Sequence, residues 1–245
     1  MSHHLVAAEH LRYRYPDGTL ALDDVSFTIR HGEAVGIIGE NGAGKSTLIN
    51  HLNGYFLPET GRILIGHQAV DKRSRPEIRR RVGVVFQNPD DQIFLSKVYD
   101  DVAFGPRNLG LAEDKVAALV QSALELLSAW ELRDRPSHNL SDGQKRAVAI
   151  AGVLAMEPDV LVMDEPTSNL DPRNRRYLIG FLNGFLHSKI IVSHDLDFIW
   201  ETCARTLVLR EGKLVADGRT KEILVEKALL ESCGLELPLR LQGGT

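Results

Sequence analysis

The chain has 245 residues, 43% hydrophobic, 25% charged and 6% aromatic, enough for one large domain or one domain with an inserted lobe, and far from disordered or fibrous composition. Lysine and arginine total 29 against 33 acidic residues, a net charge of −4, so no global basic field invites nucleic acid. Two cysteines, Cys203 and Cys233, cannot build a disulfide framework and suit a reducing compartment. The longest apolar run, Ala147 to Met156, is about half the roughly 20 residues needed to cross a bilayer, and Met1-Ser2-His3-His4 lacks a signal-peptide core. A soluble, cytoplasmic chain is expected.

The first thirty residues read as short strands. Leu11 to Tyr15 alternates, Pro16-Asp17-Gly18 supplies a turn, and Val25 to Ile29 alternates again. A compact apolar strand, Ala34 to Ile38, leads into a glycine-rich loop and a helix beginning near Lys45. Arg62 to Ile65 and Arg81 to Phe86 read as further strands, the second bounded by Asn88-Pro89. From Glu113, the residues Val116, Leu119, Val120, Ala123, Leu124 and Leu127 recur at helical spacing and share one face. Ser141 is placed to cap the helix carrying Ala147 to Met156, and Pro158 stops it. Val160 to Met163 and Ile190 to Val192 read as strands covered on both faces, and Leu207 to Val215 as a hairpin turning at Glu211-Gly212. Buried strands alternating with helices predict an α/β fold with a mostly parallel sheet. The stretch from about 88 to 157 is the candidate inserted helical lobe.

Gly39-Glu40-Asn41-Gly42-Ala43-Gly44-Lys45-Ser46 fits G-x-x-x-x-G-K-[ST] between an apolar strand and a helix. Small residues let backbone N–H groups converge on phosphate oxygens, and the helix start adds partial positive charge. Lys45 is expected to reach the β- and γ-phosphates and the Ser46 hydroxyl to ligate Mg²⁺. Val160 to Glu165 is an apolar strand ending in two acids: Asp164 suits the Mg²⁺ shell, and Glu165 can polarise an attacking water. Together these motifs point to a nucleoside triphosphatase.

Leu140-Ser141-Asp142-Gly143-Gln144 precedes a helix, Asp164-Glu165-Pro166-Thr167 runs into Ser168-Asn169-Leu170-Asp171, and Ile190 to Val192 leads into Ser193-His194-Asp195. On these residues the sequence resembles the ATP-binding-cassette (ABC) ATPases along its whole length, with P-loop 39–46, Q-loop Gln87, signature LSDGQ, Walker B strand, D-loop SNLD and switch His194 in the family's order. The resemblance implies one domain over 1–245. A RecA-like core with an antiparallel β part takes about 1–87 and 158–245, and a helical subdomain takes about 88–157. It further implies that ATP lies between one copy's P-loop and the signature of a second copy. Gly39, Asn41, Gly42, Gly44, Lys45, Ser46 and Thr47 act from one side, and Ser141, Gly143 and Gln144 from the other. Glu165 is then the general base, His194 contacts the γ-phosphate, and Gln87 senses metal and water. Tyr15 matches the aromatic that stacks on adenine, with Tyr13, on the same strand face, the alternative. The other histidines, His3 and His51 among them, have no such frame and are read as carrying no chemistry.

Two departures stand out. Asp142 replaces a glycine usual in the signature and puts negative charge near a phosphate, which should lower affinity. Asn169, where a small residue is common, is a milder change.

Asn88-Pro89-Asp90-Asp91-Gln92-Ile93-Phe94, Val98 to Pro106 and Asn108 to Leu111 resemble the ATPases of energy-coupling-factor importers. That likeness implies a peripheral position at the cytoplasmic face of the membrane, with an integral coupling subunit, a substrate-binding membrane subunit and no nucleic acid. Ile93, Phe94, Leu95, Val98 and Phe104 either line a docking groove or pack the lobe. The tail Gly234 to Leu239 and the phrase His194-Asp195-Leu196-Asp197 resemble the cobalt and nickel importers. A vitamin importer or a non-transport ABC regulator is the alternative. No Cys/His cluster has metal-ligand spacing, so Mg²⁺ is the only metal expected on this chain.

Overall fold

The computed structural model describes residues 4–242; Met1 to His3, and with them the expectations for His3 and the extreme N-terminus, lie outside the described residues. The start of the chain forms two long strands rather than short ones, β1 (His4–Arg14) and β2 (Leu20–Arg30). Leu5, Val6, Ala7 and Ala8 are buried in succession, so both strand faces are covered and the alternation that marks a half-buried strand is missing. The turn between them is closed by Gly18 N–H donating to Tyr15 O at 2.9 Å. β4 (Thr60–Ile65) pairs with the free edge of β1, and β5 (Gln68–Ala69) with β4, giving an antiparallel sheet in the order β2-β1-β4-β5.

The second sheet has the order β10-β9-β3-β8-β7-β6, formed by β3 (Ala34–Ile38), β6 (Val82–Val85), β7 (Val160–Asp164), β8 (Ser188–Val192), β9 (Arg205–Arg210) and β10 (Lys213–Arg219). β9, β3, β8, β7 and β6 run parallel, and β10 folds back along β9 through Glu211 and Gly212, whose φ values of 48° and 77° suit a tight primed turn. The parallel strands alternate between two cores. Val160 and Val162 face the antiparallel sheet and helix α1 (Lys45–Leu52), while Leu161 and Met163 face the helices on the other side.

Those helices include α3 (Val98–Asn108), α4 (Glu113–Leu126) and α5 (Asp142–Leu154), which pack on one another. On α4, Val116, Val120, Ala123 and Leu124 are buried as their spacing demands, Leu119 half so. α3 runs through Gly105-Pro106. A Cβ on Gly105 would lie 2.7 Å from Met156 Sδ, so α3 passes close to the residues just after α5. Helix α2 (Arg75–Arg81) precedes β6, α6 (Pro172–Gly184) links β7 to β8, and α7 (Leu196–Thr202) links β8 to β9. The short α8 (Thr220–Ile223), α9 (Lys227–Ser232) and α10 (Leu239–Gln242) complete the chain. Among the described residues no helix is long and apolar enough to cross a membrane.

Candidate active site

The order β3-β8-β7-β6 brings four strand ends to one edge. There the chain leaves β3 at Gly39, β8 at Ser193, β7 at Glu165 and β6 at Phe86, so residues far apart in sequence share a single cleft of about 690 Å³. Lining it are Tyr15, Gly39, Asn41, Gly42, Gly44, Lys45, Ser46, Thr47, Gln87, Asp164, Glu165 and His194.

Gly39 (φ 153°) passes so near β9 that a Cβ would sit 2.2 Å from Leu209 O, a contact that excludes every side chain. Gly44 (φ 102°) caps α1 without a side-chain acceptor, so no cap occupies the first N–H groups of that helix. The Lys45 ammonium is buried and donates to Gly39 O at 2.8 Å and Glu40 O at 2.9 Å, arching back over the loop. Burial pulls its pKa down, while Glu165, Asp164 and Glu40 pull it up and favour the cation.

Ser46 Oγ donates to Asp164 Oδ2 at 3.3 Å. Burial raises the Asp164 pKa against the opposing pull of that hydrogen bond. Two hard oxygen donors side by side suit Mg²⁺. Among the described residues no group of three or more His, Cys, Asp or Glu is arranged to hold a metal, so an ion there would complete its shell from phosphate and water oxygens. The fit is that of a nucleotide-borne Mg²⁺.

Asp164 pairs in register with Val192, which sets Glu165 beside Ser193 and His194. Glu165 adopts φ 44° and is buried; its Oε2 accepts from Ser193 Oγ at 3.1 Å and from His194 N at 3.2 Å, and lies 2.8 Å from His194 Nδ1. Gln87 is exposed at the cleft mouth.

The two tyrosine rings meet edge-on at 5.2 Å but differ in what else they touch. Tyr15 lines the cleft and exchanges a 2.7 Å hydrogen bond with Thr47 Oγ1. Tyr13 turns into an aromatic cluster, stacked on Phe56 at 5.0 Å and edge-on to His51 at 4.6 Å. His51 is fully buried there.

Ser141, Gly143 and Gln144 are not among the residues lining the cleft; they form the start of α5, Ser141 exposed and Gly143 and Gln144 half-buried. They form a capping box: Ser141 Oγ accepts from Gln144 N at 3.4 Å, and Gln144 Oε1 from Ser141 N at 3.0 Å. The Ser141 hydroxyl keeps its own proton to donate. Gly143 also has a reason within the chain to be glycine, since a Cβ would meet Asn174 Nδ2 at 2.4 Å. Asp142 is exposed in the first turn, where a negative charge suits the helix dipole. Asn169 takes φ 61°, a conformation that asparagine tolerates better than most residues.

Sequence reasoning missed Gly234 and Leu235, which also line the cleft after the short C-terminal helix α9 folds back to Glu40. No local signal marks that contact.

The groove residues divide. Phe94 (62% exposed) and Phe104 (41%) line a groove of about 560 Å³ between α3, α5 and β6. Val98 is fully buried in the helical core, and Ile93 packs against that core. Sequence reading missed Tyr55, Phe86, Leu109 and Met156, which complete the groove.

A phosphate loop at a strand–helix turn, with an acidic pair at the end of the parallel strand next but one in the sheet, defines a P-loop nucleoside triphosphatase. The chain belongs to the ABC transporter family, whose sequence profile matches residues 22–168, and it is an ABC ATPase. It is 54% identical over 243 residues to a Geobacter sulfurreducens protein named for an ABC transporter ATP-binding role, covering 99% of this chain and 98% of that one. The energy-coupling factor transporter ATP-binding protein EcfA of Carboxydothermus hydrogenoformans is 47% identical, covering 96% of this chain and 87% of its own. The cobalt import ATP-binding protein CbiO of Rhodobacter capsulatus is 45% identical, covering 96% and 86%. Among solved structures, CbiO1 of Clostridium perfringens, part of the ABC transporter complex CbiONQ, superposes with a TM-score of 0.85 at 39% identity, over 98% of this chain and 96% of that one. An ATP-binding cassette solved as a dimer in a post-hydrolysis state with ADP and Pi superposes with a TM-score of 0.79 at 25% identity, over 88% and 98%.

Proposed function

We propose that this chain is the ATP-hydrolysing subunit of an energy-coupling-factor importer for cobalt or nickel ions, driving it by closing head to tail on a second copy with ATP and opening after hydrolysis. The observation that carries the reading is the division of the site within one chain. Lys45, Ser46, Asp164, Glu165, Gln87 and His194 converge on the cleft, while the Ser141–Gly143 helix start is not among the residues that line it, with Ser141 and Asp142 exposed. A phosphate donor set outside its own chain's cleft suits a cleft on another copy.

Within the cleft, backbone N–H groups of the loop and the Lys45 ammonium bind and orient the phosphates. Ser46 and Asp164 would hold Mg²⁺, which supplies electrostatic stabilisation of phosphate charge when bound. Glu165 is placed to accept a proton from water, and its bonds to Ser193 and to the His194 backbone fix the carboxylate's direction. His194, with a side chain 69% exposed, is the partner of Glu165 best placed to meet a γ-phosphate. Tyr15 offers its ring to adenine and anchors its hydroxyl on Thr47. These roles, the division into a core of about 1–87 and 158–245 with a helical subdomain of about 88–157, and a station at the cytoplasmic membrane face belong to the same reading.

The apolar groove around Phe94 and Phe104 is the natural seat for a membrane subunit. Cobalt as cargo is supported by the likeness to the cobalt import protein CbiO of R. capsulatus, and nickel rests on the sequence resemblance alone. The test is affinity copurification of this chain with its native membrane fraction and mass spectrometry of what accompanies it. A cobalt- or nickel-type transmembrane subunit is expected. Vitamin-importer components would overturn the ion, and recovery of no membrane protein would overturn the transport reading.

A further inference from the structure

Behind the cleft, the first turns of α5 are bonded to the loop that leaves β6. Arg146, only 3% exposed, sends Nη1 to the Phe86 carbonyl at 2.7 Å and Nη2 to the Gln87 carbonyl at 2.6 Å. Lys145 Nζ lies 2.6 Å from Asp90 Oδ1. Gln92 donates through Nε2 to Ala149 O at 3.1 Å and accepts Phe86 N–H at 3.0 Å. One helix face thus grips both ends of the Phe86–Gln92 loop.

The Arg146 contact is an expensive one. Removing a guanidinium from water disfavours its charge, and its Nε is buried with no partner. A methionine or leucine would fill such a space without that penalty. What an aliphatic chain cannot do is span two successive carbonyls with a planar fork, and Phe86 and Gln87 lie beyond β6, where no sheet ladder satisfies them. The cation therefore fixes the direction of the backbone from which the Gln87 side chain emerges. The same helix begins at the capped Ser141–Gly143 end, little more than a turn from Arg146. Phe86 and Gln92 also line the apolar groove.

We propose that Arg146 is a positioning residue that locks the signature helix to the Q-loop, so that Gln87, facing this chain's own nucleotide, and the Ser141–Gly143 end, offered to a second copy, move as one body. This deepens the function proposed above and rests on it for the roles of Gln87 and Ser141. A displacement of Gln87 by nucleotide, or of Phe86 by a groove occupant, is carried directly to the helix end.

The test uses the full chain with Arg146→Met, which keeps length and apolar contact but removes both bonds, and Arg146→Lys, which keeps the charge without the fork. ATP turnover and peptide-resolved amide exchange are measured on each. For Arg146→Met, kcat falls at least about tenfold while KM for ATP stays within about twofold, because the P-loop is untouched. Exchange rises in both 86–92 and 141–146 and is unchanged in the α4 core, 116–124. Arg146→Lys recovers part of the lost kcat. A kcat within about twofold of wild type, or faster exchange in 141–146 with 86–92 unchanged, overturns the lock. A rise that extends to 116–124, with turnover falling only as the folded fraction falls, also overturns it by showing a merely structural side chain. Failure of a Glu165→Gln chain with Arg146 intact to pair in ATP counts instead against the two-copy reading, so the two failures are told apart.

Discussion

One oxygen of Glu165, Oε2, lies 2.8 Å from the His194 ring nitrogen Nδ1 and 3.2 Å from the same residue's backbone nitrogen, so a single carboxylate oxygen holds His194 at two points. The carboxylate is nearly buried while the imidazole reaches into solvent, 11% and 69% exposed by side chain. Glu165→Gln keeps an oxygen that can accept from Ser193 and His194 N, and loses the charge that, in the role proposed for Glu165, takes a proton from water. Turnover should fall at least about 10²-fold, with ATP still bound and the chain accumulating as an ATP-bound dimer on size-exclusion chromatography. Wild-type turnover in this variant would show that the base lies elsewhere.

Lys45 is the buried cation of the P-loop, tied to the carbonyls of Gly39 and Glu40. In Lys45→Ala those carbonyls lose their donor and the phosphates lose a point charge. Charge-assisted bonds of about 3 kcal/mol correspond to roughly a 10²-fold loss in affinity, so fluorescent-ATP titration should show productive binding abolished at working concentrations. Binding within a few-fold of wild type would remove the lysine from phosphate recognition.

Tyr15 and Tyr13 sit two residues apart and have separable roles. Tyr15→Ala should weaken ATP binding by about 1–3 kcal/mol, the worth of stacking on one base, and lower the melting temperature less than Tyr13→Ala does, since it loses only edge contacts with Tyr13 and Phe56 and the bond to Thr47. Tyr13→Ala opens a hole between His51 and Phe56 and should lower stability by about 3 kcal/mol or more. A Tyr13 variant that weakened ATP binding without loss of stability would reverse the assignment.

What could be read in the sequence was chemistry carried by contiguous residues. The P-loop needs Gly39 and Gly44 where the backbone does, Walker B follows a doubly buried strand, and the α4 face obeys helical spacing. What could not be read depends on partners distant in the chain. β1 reaches back to His4 because β2 and β4 flank it. Leu235 enters the cleft only through the fold-back of α9. His51 illustrates the same limit. Nothing around it in sequence suggests chemistry, yet the fold seals it completely beneath the aromatic cluster beside Tyr15.

That burial makes His51 a source of acid sensitivity. Desolvation lowers its pKa from the ordinary 6.5, against the pull of the Thr47 carbonyl bonded to Nδ1 at 2.8 Å. A depressed histidine pKa means that the unfolded chain binds more protons. The stability is therefore fully present above about pH 6.5 and is lost as pH falls toward the folded value, by about 1.4 kcal/mol per unit in that window. The melting temperature should drop between pH 7 and pH 5, and His51→Gln should flatten that slope. An unchanged slope in the variant would assign the acid sensitivity to other groups.

Asp142 sets two effects in opposition. In the first turn of α5 its charge favours the helix dipole and the buried Arg146 cation, contributions of about 0.3–1 kcal/mol for an exposed site. Glycine there removes both and adds roughly 1 kcal/mol of helix penalty. Across a closed interface the same charge would lie near a phosphate, where repulsion at about 4 Å ranges from 1 kcal/mol in water to 4 kcal/mol in a partly dry site. Closure excludes water, so the repulsive effect is the larger. Asp142→Gly should therefore lower the melting temperature by a few degrees while raising apparent ATP affinity or turnover severalfold. The two are measured separately, by thermal unfolding without nucleotide and by steady-state ATPase assay. A variant that melts lower with turnover unchanged would show that the Asp142 side chain points away from the phosphate in the paired state, leaving helix stability as its whole contribution.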